Sequence, residues 1–146
     1  MVNDLPQVTI YTDGACYGNP GPGGWAALLR YKRREKVLTG SDPDTTNNRM
    51  ELTAAVQALE SLKRPCQVDF YTDSEYLKRG ISEWMPNWRQ RGWRRKGGKL
   101  ANADLWQSLD KAAENHQIEW HWVRAHAGNR YNERVDRLAR AAIPNV

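Results

Sequence analysis

The sequence holds 146 residues, with 22 lysines and arginines against 17 aspartates and glutamates, a formal net charge of +5 and a pI of about 9.4. That length suits one domain with a sizeable core, and the two cysteines, Cys16 and Cys66, match neither a metal-ligand spacing nor a disulfide framework, which points to a reducing, cytoplasmic setting. No apolar run approaches the ~18 residues a membrane crossing needs, the N-terminus lacks the regions of a signal peptide, and the basic balance makes polyanions the first candidate partners.

The first predicted element is Val8-Thr9-Ile10-Tyr11-Thr12-Asp13-Gly14, echoed later by Val68-Asp69-Phe70-Tyr71-Thr72-Asp73-Ser74. Both runs are rich in β-branched and aromatic residues and predict buried strands ending in Thr-Asp. If the strands are parallel neighbours, Asp13 and Asp73 meet at their carboxyl ends, where open α/β sheets place ligands. Two carboxylates held together repel unless a cation lies between them, so the pair predicts a divalent metal site. Taken singly, each Asp serves equally well as a cap for the next turn.

Cys16 to Gly24 is dense in turn formers and predicts a compact loop, followed by strands from Trp25 to Tyr31 and Lys36 to Gly40 in a meander with the first. No Lys-Ser/Thr follows the glycines, so this is no P-loop, although Asn19 can reach a ligand from it. Thr45-Thr46-Asn47-Asn48 lead into a helix whose Leu52, Ala55, Val56, Leu59 and Leu62 recur at helical spacing. Asn48 and Glu51 have capping-box spacing, which would occupy Glu51 locally. Glu51 also borders the apolar stripe, in a first turn from which it reaches a metal at the end of a neighbouring strand. Lys63-Arg64-Pro65 end the helix and the strand Gln67 to Asp73 follows, an arrangement that makes the two Asp-bearing strands parallel neighbours. Ser74 caps a helix from Glu75 to about Trp84.

From Trp84 to Lys99 the composition changes. Trp84, Trp88 and Trp93 alternate with Arg89, Arg91, Arg94, Arg95, Lys96 and Lys99. Cations for phosphates and flat rings for sugars or bases predict a nucleic-acid surface; the competing reading packs the rings under a solvated basic loop. A helix from Asn102 or Ala103 buries Leu105, Trp106, Leu109, Ala112 and Ala113, and Ile118 to Val123 predicts a final strand with Trp120 and Trp122 half-buried. His126 lies in the small-residue loop after that strand, suited to proton handling. The last helix starts near Asn132 with Val135, Leu138, Ala139 and Ala142 inward. Asp136 borders its apolar stripe, where an i,i+4 pair with Arg140 and the helix dipole offer a purely structural account.

These motifs together resemble the bacterial kind of type 1 ribonuclease H over nearly the whole chain. The residues that carry the resemblance are Tyr11-Thr12-Asp13-Gly14 with Gly18-Asn19-Pro20-Gly21-Pro22-Gly23-Gly24, Thr45-Thr46-Asn47-Asn48-Arg49-Met50-Glu51-Leu52 and Thr72-Asp73-Ser74. Asn102-Ala103-Asp104-Leu105-Trp106 and His126-Ala127-Gly128 with Asn132-Glu133-Arg134 and Asp136 complete the set. The resemblance implies an α/β, ribonuclease H-like fold: a five-stranded mixed sheet, three antiparallel strands then parallel ones, flanked by helices. It implies one domain over 1–146 with a basic protrusion at about 84–99, a sequence-independent endonuclease, and hydrolysis of the RNA strand of RNA–DNA hybrids to 5′-phosphate and 3′-hydroxyl ends. Asp13, Glu51, Asp73 and Asp136 would ligate two Mg²⁺ ions, roughly 4 Å apart in such sites, with Mn²⁺ able to substitute. His126 would assist proton transfer or product departure.

The resemblance further implies that Asn19, Asn48 and position 75 line the minor groove, where 2′-hydroxyls mark RNA. Thr46, Asn47 and Asn102 would hold a DNA-strand phosphate, and Trp84, Trp88, Arg91 and Trp93 belong to a protrusion that grips the DNA strand. Departures from the family pattern are Glu75, where Gln is common, Ala125, where Gly is common, and the absence of a tail after the last helix. A Met1 start and compact ends read as a complete chain, a monomer by default. The rivals are a non-catalytic hybrid-binding module, a related nuclease or resolvase acting on DNA, and a reverse-transcriptase fragment.

Overall fold

A computed structural model describes residues 4–95, 98–124 and 129–145. In chain order it runs β1 (Gln7–Cys16), β2 (Gly21–Tyr31), β3 (Arg34–Thr45), α1 (Asn47–Glu60), β4 (Gln67–Thr72) and α2 (Glu75–Arg79). A π-helical turn (Gly80–Trp84) leads into α3 (Met85–Gln90), a two-residue ribbon β5 (Arg94–Arg95) and β6 (Gly98–Lys99), then α4 (Ala103–Ala113), β7 (Gln117–Trp122) and α5 (Arg130–Ala142).

The sheet is five-stranded and mixed, in the order β3-β2-β1-β4-β7. The first three strands form the antiparallel meander, and β4 and β7 are added in parallel. Strand β1 pairs with β4 in the register Val8↔Val68, Ile10↔Phe70 and Tyr11↔Tyr71. The two echoing sequences therefore lie side by side in step, and both aspartates fall at the same end.

Alternation sorts the strand residues into two cores. Val8, Ile10, Val68 and Phe70 pack with Leu52, Ala55 and Leu59 of α1 and with Trp106 of α4. On the other face Tyr11, Ala26 and Leu28 meet Val135 and Ala139 of α5. The carboxyl end of β1 is thus bracketed by α1 from one layer and α5 from the other.

Several boundaries differ from the sequence expectation. Gly21 to Gly24 pair in β2 instead of looping, leaving only Tyr17 to Pro20 as the turn. Gly24 lies where α5 crosses the sheet, and a Cβ there would stand 2.8 Å from the Ile143 backbone nitrogen. Composition reads such a residue as a loop former, whereas its use here is close approach. Strand β3 continues past Gly40 to Thr45 because β2 keeps supplying partners. The helix expected from Glu75 to Trp84 is α-helical to Arg79 and finishes as the π turn, and helical structure continues past it as α3; Pro86, at the start of α3, has no N–H to continue the α pattern. Helix α5 begins at Arg130 and not near Asn132, capped by the Asn129 side chain on the Tyr131 and Asn132 amides.

Candidate metal centre and its surroundings

Asp13 is not the last residue of its strand. β1 stays paired with β2 as far as Cys16↔Gly23, while its pairing with β4 stops at Tyr11↔Tyr71. A crevice opens where β1 and β4 part, and Asp13 sits on its wall with Asp73 just past the end of β4. Asp13, Glu51 and Asp73 each bring a carboxylate oxygen within 4.8 Å of the others.

Glu51 reaches this crevice because α1 lies unusually close to β1. Gly14 makes the approach possible: a Cβ there would be 2.5 Å from the Glu51 nitrogen and 2.6 Å from the Met50 carbonyl carbon. The expected capping box is absent. Thr46 is the N-cap, its hydroxyl accepting from the Arg49 N–H at 3.2 Å, so Asn48 lies inside the helix. Glu51 falls beyond the first turn and has no capping duty. It is only 5% exposed, and its Oε1 is buried with no hydrogen-bond partner among the described residues.

An unsatisfied buried carboxylate is costly, and the cost shows in the titration. Burial pushes the Asp13 carboxyl up to about 8, with the Asp73 charge and a hydrogen bond to Asp136 adding to it; the Gly14 N–H, 2.9 Å from Oδ1, opposes the rise. Burial, then the charges of Asp13 and Asp73, hold Glu51 well above the usual carboxylate range. Asp136 of α5 is near enough to help raise the Asp13 carboxyl but is not among the three acids whose oxygens lie within 4.8 Å of one another, and it pairs with Arg140 at 3.2 Å. It stands in the second turn of α5, where the helix dipole expected to hold it has faded; Glu133 is the acid of the first turn. His126 and Ala125 lie outside the described residues.

The residues expected to meet a duplex are arranged around this crevice. Asn19 accepts a 2.8 Å hydrogen bond from the Asn47 amide, tying the β1–β2 turn to the start of α1 beside Thr46. Asn48 and Glu75 are exposed, Glu75 at the first position of α2. Asn102 is the N-cap position of α4 in a left-handed conformation, φ 59°, and its side chain caps nothing. It bonds instead to Arg49 and to the Tyr76 hydroxyl.

Trp84, Trp88 and Trp93 are half-buried, with centroid separations of 5.6 Å (Trp84–Trp88) and 6.4 Å (Trp88–Trp93), and Trp88 stands 5.4 Å from the buried Trp106. These rings pack on one another and on the core, and each keeps part of its surface exposed. Among the patch's cations, Arg91 and Arg94 are exposed, but Arg89 is committed to Asp110 of α4.

Sequence reasoning missed Gly14, Arg49 and Tyr76 as individual contributors, because their value lies in contacts across elements. It also missed a second trio of ligating side chains, Asp69, Glu119 and His121, on the adjacent strands β4 and β7. A cavity of about 500 Å³ among Pro6, Val8, Leu29, Tyr31, Leu62 and Cys66 shares no residue with the carboxylates. No helix among the described residues is long and apolar enough to cross a membrane.

Comparison with known proteins bears on the chain as a whole. The family model described as RNase H matches residues 6–144. A ribonuclease H from Chelativorans is 59% identical over 140 residues, 95% of this chain and 86% of that protein. A ribonuclease HI from Pseudomonas aeruginosa is 58% identical over 146 residues, 99% of each chain. The crystal structure of LC9-RNase H1, described as a type 1 RNase H with the type 2 active-site motif, superposes with a TM-score of 0.88 at 38% identity, covering 98% of this chain and 74% of that one.

Proposed function

This chain belongs to the ribonuclease H family, enzymes that hydrolyse the RNA strand of RNA–DNA hybrids, and we propose how its own residues divide that work. Asp13, Glu51, Asp73 and Asp136 hold two divalent cations, Mg²⁺ with Mn²⁺ as a substitute. The observation that carries this reading is the Glu51 oxygen buried without a partner beside two further carboxylates. An all-oxygen donor set of this charge suits hard divalent cations, and a cation supplies the partner that Oε1 lacks. When bound, such ions make a water nucleophilic and stabilise the leaving oxygen of an in-line displacement.

The protein's part is to hold Asp13 and Glu51 ionised only in the presence of that positive charge, with α1 and α5 clamping the crevice from both faces. His126 moves a proton during turnover or product departure. Asn19, Asn48 and Glu75 face the minor groove, where 2′-hydroxyl contacts and groove width select the hybrid without reading sequence. Glu75 lacks the donor amide of the usual Gln, so it contributes less to groove contact. Thr46, Asn47 and Asn102 hold a phosphate of the DNA strand. The exposed Arg91 and the rim of Trp84, Trp88 and Trp93, within the 84–99 protrusion, add sequence-independent attraction. The enzyme works as a cytoplasmic monomer with one domain, releasing 5′-phosphate and 3′-hydroxyl ends.

One end-labelled RNA strand tests this, presented alone, paired with RNA and paired with DNA, each with Mg²⁺, with EDTA and with Asp13→Asn. Cleavage confined to the hybrid and abolished by both EDTA and the substitution is the expected result. Tight hybrid binding with no cleavage would support a non-catalytic module instead, and reverting Glu75→Gln would then be the first variant made.

A further inference from the structure

Arg49 stands two residues before Glu51 on α1, yet its side chain leaves the metal centre and crosses to α4. Nη2 donates to Asp104 Oδ2 at 2.8 Å and Nη1 to Asp104 Oδ1 at 3.1 Å, a two-pronged fit of guanidinium to carboxylate. Nη1 also donates to Asn102 Oδ1 at 3.1 Å. On its other side Asn102 donates from Nδ2 to the Tyr76 hydroxyl at 3.0 Å, and Trp106 Nε1 donates to the same oxygen at 3.0 Å.

This set decides which way the Asn102 carboxamide faces. A guanidinium can only donate, so the amide atom beside it is the carbonyl oxygen, and the –NH₂ is turned to Tyr76. One N–H is spent on Tyr76, and no hydrogen bond among the described residues uses the second. We propose that Arg49, locked on Asp104, is a positioning residue. It fixes the Asn102 carboxamide so that its remaining N–H stands ready as a donor to a phosphate oxygen of the bound duplex. The left-handed backbone at Asn102 holds the side chain clear of the cap position it would otherwise fill. Asp104 half-neutralises Arg49, so the device orients a neutral donor and adds little net charge.

The inference rests on the reading of Asn102 as a phosphate contact, and the test separates the two. Steady-state KM and kcat are measured on one hybrid for Asn102→Ala, Arg49→Lys and the double variant. Lysine keeps the charge but has no planar fork. Arg49→Lys should raise KM about fivefold, the fold-change of one net hydrogen bond, with kcat within about twofold. The double variant should be no worse than Asn102→Ala alone, because Arg49 acts only through Asn102. An Arg49→Lys enzyme with wild-type KM, or losses that multiply in the double variant, would overturn the proposal while leaving the phosphate contact standing. If Asn102→Ala alone leaves KM unchanged, the contact itself fails and the proposal with it. Should Arg49→Lys not fold, Asp104→Asn loosens the same fork from its exposed side and is read in the same way.

Discussion

Among the described residues two trios of side chains could hold a metal ion, one at the carboxyl edge of the sheet and one upon it, and they are built in opposite ways. Asp13, Glu51 and Asp73 converge where β1 and β4 part, with Asp13 and Glu51 buried and a Glu51 oxygen unpaired. Asp69, Glu119 and His121 lie side by side on the paired strands β4 and β7, Glu119 exposed. His121 Nε2 is already 2.9 Å from Asp69 Oδ1, and its ring stacks on Tyr71 with centroids 4.4 Å apart. In the second trio His121 and Asp69 already satisfy each other, and Glu119 is exposed to solvent. The first is left in deficit by burial and mutual repulsion, and a cation would make up that deficit. Proximity of ligands is thus a weak criterion for a metal centre, and unsatisfied burial is a stronger one.

The largest effect should come from substitution within the first trio. Asp13→Asn or Glu51→Gln should lower kcat on a labelled hybrid by about three orders of magnitude or more, while Asp69→Asn and His121→Ala stay within about twofold of wild type. An equal loss in His121→Ala would break the comparison. Calorimetric Mn²⁺ titration sharpens it further: heat of binding should vanish in Asp13→Asn and persist in His121→Ala.

Next comes the pH dependence of the metal-free protein. The Asp13 carboxyl is at about 8 when folded against an ordinary value of 3.8, so the folded state keeps a proton that the unfolded chain releases. Its contribution to stability is complete below about pH 4 and is lost as pH rises through about 8. With EDTA present, Tm should therefore fall across that window, and Asp13→Asn should flatten the slope and raise Tm at pH 8. A shift of roughly 3 °C corresponds to each kcal/mol in a chain of this size. A metal-free Tm that rises with pH would contradict the burial argument.

Smaller effects probe the frame around the crevice. Gly14→Ala should cost about 1–3 kcal/mol in chemical denaturation, because the new methyl meets the backbone of Met50 and Glu51. It should also lower kcat, since α1 carries Glu51 away from Asp13 as it yields. Smallest of all, Arg140→Ala removes an exposed ion pair with Asp136 and should change stability by less than about 1 kcal/mol.

Much of the sheet was legible in the chain because its signals are local or nearly so. The matching Thr12-Asp13 and Thr72-Asp73 endings, with one helix between them, imply parallel neighbours in step, and β1 and β4 pair that way. Glu51 was harder. Its sequence neighbourhood offers a capping box with Asn48, and only the placing of the cap at Thr46, two residues earlier, releases it. Gly21 to Gly24 misled for the same kind of reason, since glycine for a turn and glycine for close packing are spelled alike. The tryptophans of the basic stretch carried two readings, and the packing of half-buried Trp88 against Trp106 is compatible with both.

The sequence by itself determined the main strands and helices of the sheet layer, the parallel pairing of the two Asp-bearing strands, the family and the acids available to the crevice. Those follow from periodicity, turn chemistry and motif order, all written along the chain. Tertiary structure alone decided that Glu51 has an oxygen without a partner among the described residues, that burial pushes the Asp13 carboxyl up to about 8, and that Arg49 of α1 bonds Asn102 at the start of α4. Desolvation and hydrogen-bond direction depend on which atoms from distant segments share a few ångströms of space, and residue order does not encode that distance.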